Sequence, residues 1–220
     1  MQTHQDKSSR KKIYFIRHGE SEGNAGPIRQ SAASHLTDHG KAQAAFMGER
    51  CMSLPLEVLV SSTMMRAQET AEIISEKTGH EIISSPLFME RRRPSYQTGK
   101  DKDDPMSREI DQLVFNNFAK PGYRHSDEEN FDDLKARAIA ALRYLGDRPE
   151  EHIGVVTHGF FMRVVMAVVV FGETLTAREC ERFLRTFHME NTGLTVIGFD
   201  GWNRDPAWWV WTWNDHGHLG

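Results

Sequence analysis

The sequence predicts an α/β protein: a three-layer α/β/α sandwich around a mostly parallel sheet, with an inserted cap segment. Three observations predict it. Short continuous apolar runs recur at Ile13-Tyr14-Phe15-Ile16, at Leu56 to Val60 and at Ile153 to Val156, and each reads as a strand buried on both faces. Stretches with helical spacing separate these runs, the alternation that builds parallel sheets. Two of the runs also end alike, in Arg17-His18-Gly19 and in Thr157-His158-Gly159.

The elements follow in order. After the first strand, Leu36-Thr37-Asp38-His39-Gly40 supplies a cap residue before an Ala-rich helix running through Gly48. Leu56 to Val60 is the second strand, ending in Ser61-Ser62-Thr63. Met64, Ala67, Ala71, Ile74 and Thr78 recur at steps of three and four, and Gly79 closes the helix. Ile82-Ile83 is a third short strand. From Arg91 the periodicity dissolves into a charged stretch with Pro94, Pro105 and Pro121, expected to be partly helical and to form the cap. Ser126 with Glu129 gives a capping-box signal for a long helix carrying Phe131, Leu134, Ala138, Leu142 and Leu145. Ile153 to Val156 is the fourth strand. Phe160 to Phe171 is apolar nearly all round, hence a central helix, broken only by Arg163. Ala177 to Phe187 forms another helix, and Leu194 to Phe199 and Trp208 to Trp213 a final hairpin. Residues 1–10 read as a flexible tail and 11–220 as a single domain, with the cap insertion at about 91–125.

Composition narrows the function classes. The chain has 220 residues, 39% hydrophobic and 26% charged, as folded soluble domains do. The formal net charge of −4 argues against a nucleic-acid surface. The two cysteines, Cys51 and Cys180, suggest neither a zinc site nor a disulfide framework. No apolar run approaches the roughly 20 residues that a membrane span needs. The expected setting is cytoplasmic.

The chemistry gathers at strand ends. Ligands in open α/β sheets bind beyond the carboxyl ends of the strands, so His18 and His158 are expected on one rim. Each precedes a glycine that lets backbone approach a ligand. Ser61-Ser62 ends a third strand, and Arg66 sits in the first turn of the next helix, whose N–H groups favour an anion. Taken singly, each of these residues is more often structural than functional. Jointly, two arginines, two histidines and helix N–H groups suit phosphoryl transfer, which needs positioning and charge stabilisation. A neutral imidazole is a competent nucleophile once its other ring nitrogen holds the proton.

The segment Arg17-His18-Gly19-Glu20-Ser21-Glu22-Gly23-Asn24 resembles the RHG motif of the histidine phosphatase superfamily, the phosphoglycerate mutase-like family. Leu36 to Gly40 with Gln43-Ala44, Ser61 to Ala67 with Glu69-Thr70-Ala71, Leu87 with Glu90, and Val155 to Gly159 resemble its further landmarks, in order. One departure is Ser62, which stands where the family usually carries a proline. The resemblance implies that His18 is the phosphorylated nucleophile. It implies that Arg17, Arg66 and His158 clamp the phosphate with Asn24, and Gly159 is taken as a further substrate contact. Glu90 would be the general acid, with Glu20, Glu22 and Asp38 as alternative carboxylates. It implies no metal and no cofactor.

A cofactor-dependent mutase would show an Arg-His-Tyr-Gly-like sequence after the acid, where this chain has Arg91-Arg92-Arg93-Pro94-Ser95-Tyr96. Hydrolysis of a small phosphorylated metabolite is therefore preferred to mutase action, with a phosphate-binding non-enzyme as the other alternative. Arg91, Arg92, Arg93, Lys100, Lys102 and Arg124 are candidates for a second anionic group, or are simply solvated. Trp209, Trp211 and Trp213 should share one face of a strand by period two and pack on a helix. His216 and His218 read as exposed tail residues. No nucleic-acid or membrane partner is expected; a homodimer stays open.

Overall fold

The computed structural model describes residues 10–29, 31–202 and 204–219. The expected tail, 1–10, lies outside the described residues except for Arg10. The elements run β1 (Lys11–Arg17), α1 (Glu22–Ala25), α2 (Asp38–Cys51), β2 (Val58–Ser61), α3 (Met65–Thr78) and β3 (Ile82–Ser84). They continue with α4 (Pro105–Asn116), α5 (Phe131–Gly146), β4 (His152–Thr157), α6 (Gly159–Phe171), α7 (Ala177–Thr186), β5 (Leu194–Phe199) and β6 (Trp208–Asp215). The strands form one six-stranded sheet in the order β3-β2-β4-β1-β5-β6. The pairs β2–β3, β2–β4 and β1–β4 are parallel, and β5 and β6 add antiparallel.

Both faces of the sheet are covered, which is why its strands read as unbroken apolar runs. Successive side chains of β1 point to opposite faces. Ile13 and Phe15 pack with Leu134 of α5, Val165 of α6 and Leu184 of α7. Tyr14 and Ile16 pack with Met47 of α2 and with Ala71 and Ile74 of α3. Phe161, fully buried on α6, contributes about 2–3 kcal/mol by burial alone. No helix among the described residues is long and apolar enough to cross a membrane.

The register positions the site. In the parallel pairing Arg17 stands beside Thr157, and Ser61 beside Val156. The residues that follow each strand, His18, Ser62 and His158, therefore emerge side by side on one rim.

Three local expectations change. The long helix starts later than Ser126 suggests: Asn130 caps α5 in a capping box with Asp133. Ser126 donates to Glu128 instead, and Glu129 is held by Arg137 at 2.8 Å. The tryptophans do not share a face, because β6 carries a bulge: Ile197 pairs with Val210 but Val196 with Thr212. The extra residue reverses the alternation beyond it. Trp208 packs at a tilt against Phe199 and Trp213 edge-on against Phe187, while Trp209 covers Gly198 and Trp211 is 63% exposed. His218 is half-buried rather than free, with Nε2 3.0 Å from Thr192 Oγ1.

The segment after Arg91 is partly helical, as expected. Asp104 caps α4 by accepting from Ser107 N, with Pro105 in the first turn. The segment is tied to the loop after β1, since Arg29 N donates to Lys100 O and Lys102 N to Pro27 O.

Candidate active site

His18 leaves β1 directly and is 3% exposed. Its Nδ1 lies 2.6 Å from the carbonyl oxygen of Gly19, an acceptor, so Nδ1 carries the proton. Nε2 is left with a lone pair, and Arg66 Nε donates to it at 3.1 Å. The backbone around His18 is pinned from three sides. Its N–H donates to Thr157 O, Asn191 Nδ2 donates to its carbonyl at 2.8 Å, and Thr192 N donates to Arg17 O. Thr192 does this from a left-handed conformation, φ 55°, unusual for a β-branched residue and typical of strain held at a site.

Arg66 comes from the first turn of α3 and is 2% exposed. Burial pulls its pKa down to about 10, so it remains a cation. Arg17 reaches over the start of α6: a Cβ on Gly159 would stand 3.2 Å from Arg17 Nε. Its guanidinium donates to the Met189 carbonyl, while its buried Nε has no partner among the described residues.

His158 is fully buried, its ring centroid 5.0 Å from that of His18. Its Nε2 lies 2.8 Å from Ser62 Oγ, and its Nδ1 has no partner among the described residues. Both imidazoles are pushed well below the usual histidine range, first by burial and then by neighbouring cations. Both are neutral near pH 7.

Glu90 lies at the end of a segment fastened at several points. Arg137 donates to the carbonyls of Leu87 and Met89, at 3.1 and 2.7 Å, and Thr157 Oγ1 to that of Phe88. The carboxylate accepts N–H bonds from Arg91, Phe160 and Phe161 at 2.8, 3.3 and 3.1 Å, at the N-terminus of α6. Burial works to raise its pKa, but these N–H groups and the Arg66 charge outweigh it and hold it below the usual carboxylate value. Asn24 Oδ1 accepts from Ser21 Oγ at 2.7 Å.

Arg17, His18, Asn24, Arg66, Glu90 and Gly159 line one cavity of about 1040 Å³. His158 stands beside His18 without lining it. The alternative carboxylates Glu20, Glu22 and Asp38 do not line it either. Of the cap cations, Arg91, Arg92, Arg93 and Lys102 face the cavity. Arg124 instead holds Glu128 O and Asp133, and Lys100 sits over the Tyr96 ring.

The family model described as histidine phosphatase superfamily (branch 1) matches residues 13–215. The chain belongs to that superfamily. A Citrobacter koseri protein called "Probable phosphoglycerate mutase GpmB" is 30% identical over 94% of this chain and 94% of its own. The solved Bacillus stearothermophilus YhfR superposes with a TM-score of 0.80 at 26% identity, covering 96% of this chain and all (100%) of that one. Entamoeba histolytica phosphoserine phosphatase, solved with 3-phosphoglyceric acid, shares the fold with a TM-score of 0.75 at 21% identity, covering 95% and 99%.

Sequence reasoning missed Asn191 and Thr192, and missed what Ser62 and Arg163 hold. Ser62 was placed at a strand end and noted as a departure in a turn, without its contact to His158. Arg163 broke an apolar helix, which in hindsight is a signal: a lone guanidinium on a buried helix needs partners, and it finds the Gly159, Leu184 and Phe187 carbonyls.

Proposed function

We propose that this protein is a metal-independent phosphomonoester hydrolase acting on a small phosphorylated metabolite through a phosphohistidine on His18. The observation that carries this is the oriented imidazole: Nδ1 is tied to Gly19 O at 2.6 Å, and Nε2 holds its lone pair toward the cavity-lining Arg66.

The residues divide the work. Arg17 and Arg66 take the peripheral phosphate oxygens, where paired guanidinium donors suit them. His158 Nδ1–H and the Asn24 amide add hydrogen bonds. Nε2 of His18 attacks phosphorus in line, the P–O bond to the leaving group breaks, and the departing oxygen takes a proton delivered through Glu90. Water then attacks the phosphohistidine, gives its proton to Glu90, and releases inorganic phosphate and neutral His18. Charge neutralisation comes from guanidinium groups.

Glu90 begins ionised in the empty site. A phosphomonoester with its second pKa near 6 brings a proton of its own, and the arriving anion raises the pKa of a carboxylate close to it. The substrate monoanion thus supplies the proton that Glu90 relays.

The designation of the Citrobacter relative favours a second reading, transfer of the phosphoryl group between positions of a sugar acid. The Arg91-Arg92-Arg93 sequence after Glu90 supports hydrolysis instead. A phosphate-binding non-enzyme is disfavoured because Arg17, His18, Arg66, Glu90 and His158 are all retained. The test follows labelled phosphate from a small monoester in the presence of EDTA. Label in inorganic phosphate supports hydrolysis; label confined to a second position of the sugar acid supports the mutase; no turnover between pH 5 and 8 supports the binder.

A further inference from the structure

One peptide group orients His18. Its Nδ1 lies 2.6 Å from the carbonyl oxygen of Gly19, and that carbonyl belongs to the peptide joining Gly19 to Glu20. The N–H on the other side of the same peptide donates to Gln43 Oε1, on α2, at 2.8 Å.

Gly19 does not fix this peptide by itself. Glycine turns about its own backbone more freely than any other residue, so the plane of the 19–20 peptide needs holding from outside. Thr70 Oγ1 accepts the N–H of Gly19 at 3.1 Å and holds the peptide before it. Thr37 N donates to Glu20 O at 3.0 Å and holds the peptide after it. Gly40 lets α2 come close, since a Cβ there would fall 1.9 Å from Glu20 O. Gln43, one turn further along α2, then reaches the peptide between.

The amide of Gln43 is set in turn. An N–H needs an acceptor, so Oε1 faces Glu20, and Nε2 faces His39 Nε2 at 3.2 Å. Hydrogen bonds thus run in series from His18 Nδ1 through the 19–20 peptide and the Gln43 amide to the exposed ring of His39. Bonds in series polarise one another. The Gln43 contact therefore strengthens the Gly19 carbonyl as an acceptor as well as aiming it. Without that contact the peptide is free to rotate, and the imidazole proton is held on Nδ1 less firmly.

We propose that Gln43 is a positioning residue for His18: its side-chain oxygen holds the 19–20 peptide in the orientation that keeps the imidazole proton on Nδ1 and leaves the Nε2 lone pair free for phosphorus. The inference rests on the hydrolase reading for the role of Nε2.

The test combines kinetics with the tautomer of His18, which is neutral near pH 7. Protein labelled with 15N at histidine is examined by NMR without substrate, where Nδ1–H and Nε2–H tautomers differ in their nitrogen shifts. The wild type should show His18 protonated on Nδ1. Gln43→Met, which removes the acceptor from a half-buried position, should move part of the population to Nε2–H. It should lower kcat about fivefold to tenfold, the worth of one hydrogen bond, with KM little changed. Gln43→Glu keeps an oxygen for the Glu20 N–H and should retain both the tautomer and most of kcat. Thermal unfolding checks that the variants are folded, and Gln43→Ala replaces Gln43→Met if that chain does not fold. His18 signals in Gln43→Met that match the wild type, an unchanged kcat, or a Gln43→Glu protein as impaired as Gln43→Met would overturn the proposal. A tautomer that shifts in a protein without turnover would retire the hydrolase reading and keep Gln43 as the residue that orients His18.

Discussion

Ser62 Oγ lies 2.8 Å from His158 Nε2 while accepting the N–H of Met64 at 3.2 Å. In the proposed mechanism the Ser62 hydroxyl donates to Nε2, which places the proton of His158 on Nδ1. That nitrogen has no partner among the described residues, and in the proposed mechanism it donates to a phosphate oxygen. Ser62→Ala should therefore lower kcat by about tenfold to a hundredfold with a smaller change in KM. Steady-state kinetics on a chromogenic ester checks this, and an unchanged kcat would remove Ser62 from the account.

The protonation state of Glu90 sets a pH dependence. Its pKa is depressed, so the free site is ionised near neutrality and productive binding takes the substrate monoanion. kcat/KM should fall by about tenfold per unit above roughly pH 6, where the monoester loses its second proton. His18 titrates well below 6.5, so no acid limb should appear near that value. A rate rising from pH 6 to 8 would contradict the assignment.

Stability should also follow pH. The folded-state pKa values of His18 and His158 lie below the 6.5 of an exposed imidazole. As pH falls below 6.5 the unfolded chain binds more protons than the native one. The stability fully present above that pH is then lost progressively, by about 1 kcal/mol per unit for each histidine. Urea titrations at pH 7, 6 and 5 measure the slope, and His158→Gln should make it shallower. An equal slope in the variant would contradict the linkage.

The loop after His18 lies against the start of α2 through two glycines. A Cβ on Gly40 would fall 1.9 Å from Glu20 O, and one on Gly19 would fall 2.4 Å from Gly40 O. Gly40→Ala should destabilise the protein by about 1–3 kcal/mol through overpacking and lower kcat by displacing the loop that follows His18. Thermal unfolding together with kcat reads both effects; a fully stable and active variant would show that the loop yields freely.

Much of this was legible in the sequence for physical reasons. Strands buried on both faces leave unbroken apolar runs, so β1, β2 and β4 could be read directly. Parallel strands end on the same side, so His18, Ser62 and His158 could be placed on one rim. Arg66 followed from the position of a helix start. Less visible were features set by tertiary competition. Asn130 won the α5 cap because Glu129 was taken by Arg137. The bulge in β6 scattered the tryptophans, and periodicity cannot register one extra residue. The roles of Asn191 and Thr192 depend on β5 lying beside β1, a pairing no local motif announces. The pairing of Arg93 with Asp111 exists only in three dimensions.

The most direct test of the central claim is to trap the covalent intermediate. During turnover of a small phosphomonoester, quenching in base and mapping the peptides should find a phosphoryl group on His18. It should be stable to alkali, lost in acid, formed at least as fast as product is released, and missing in His18→Ala. Label on any other side chain, or steady turnover with no covalent phosphate at all, would contradict the account.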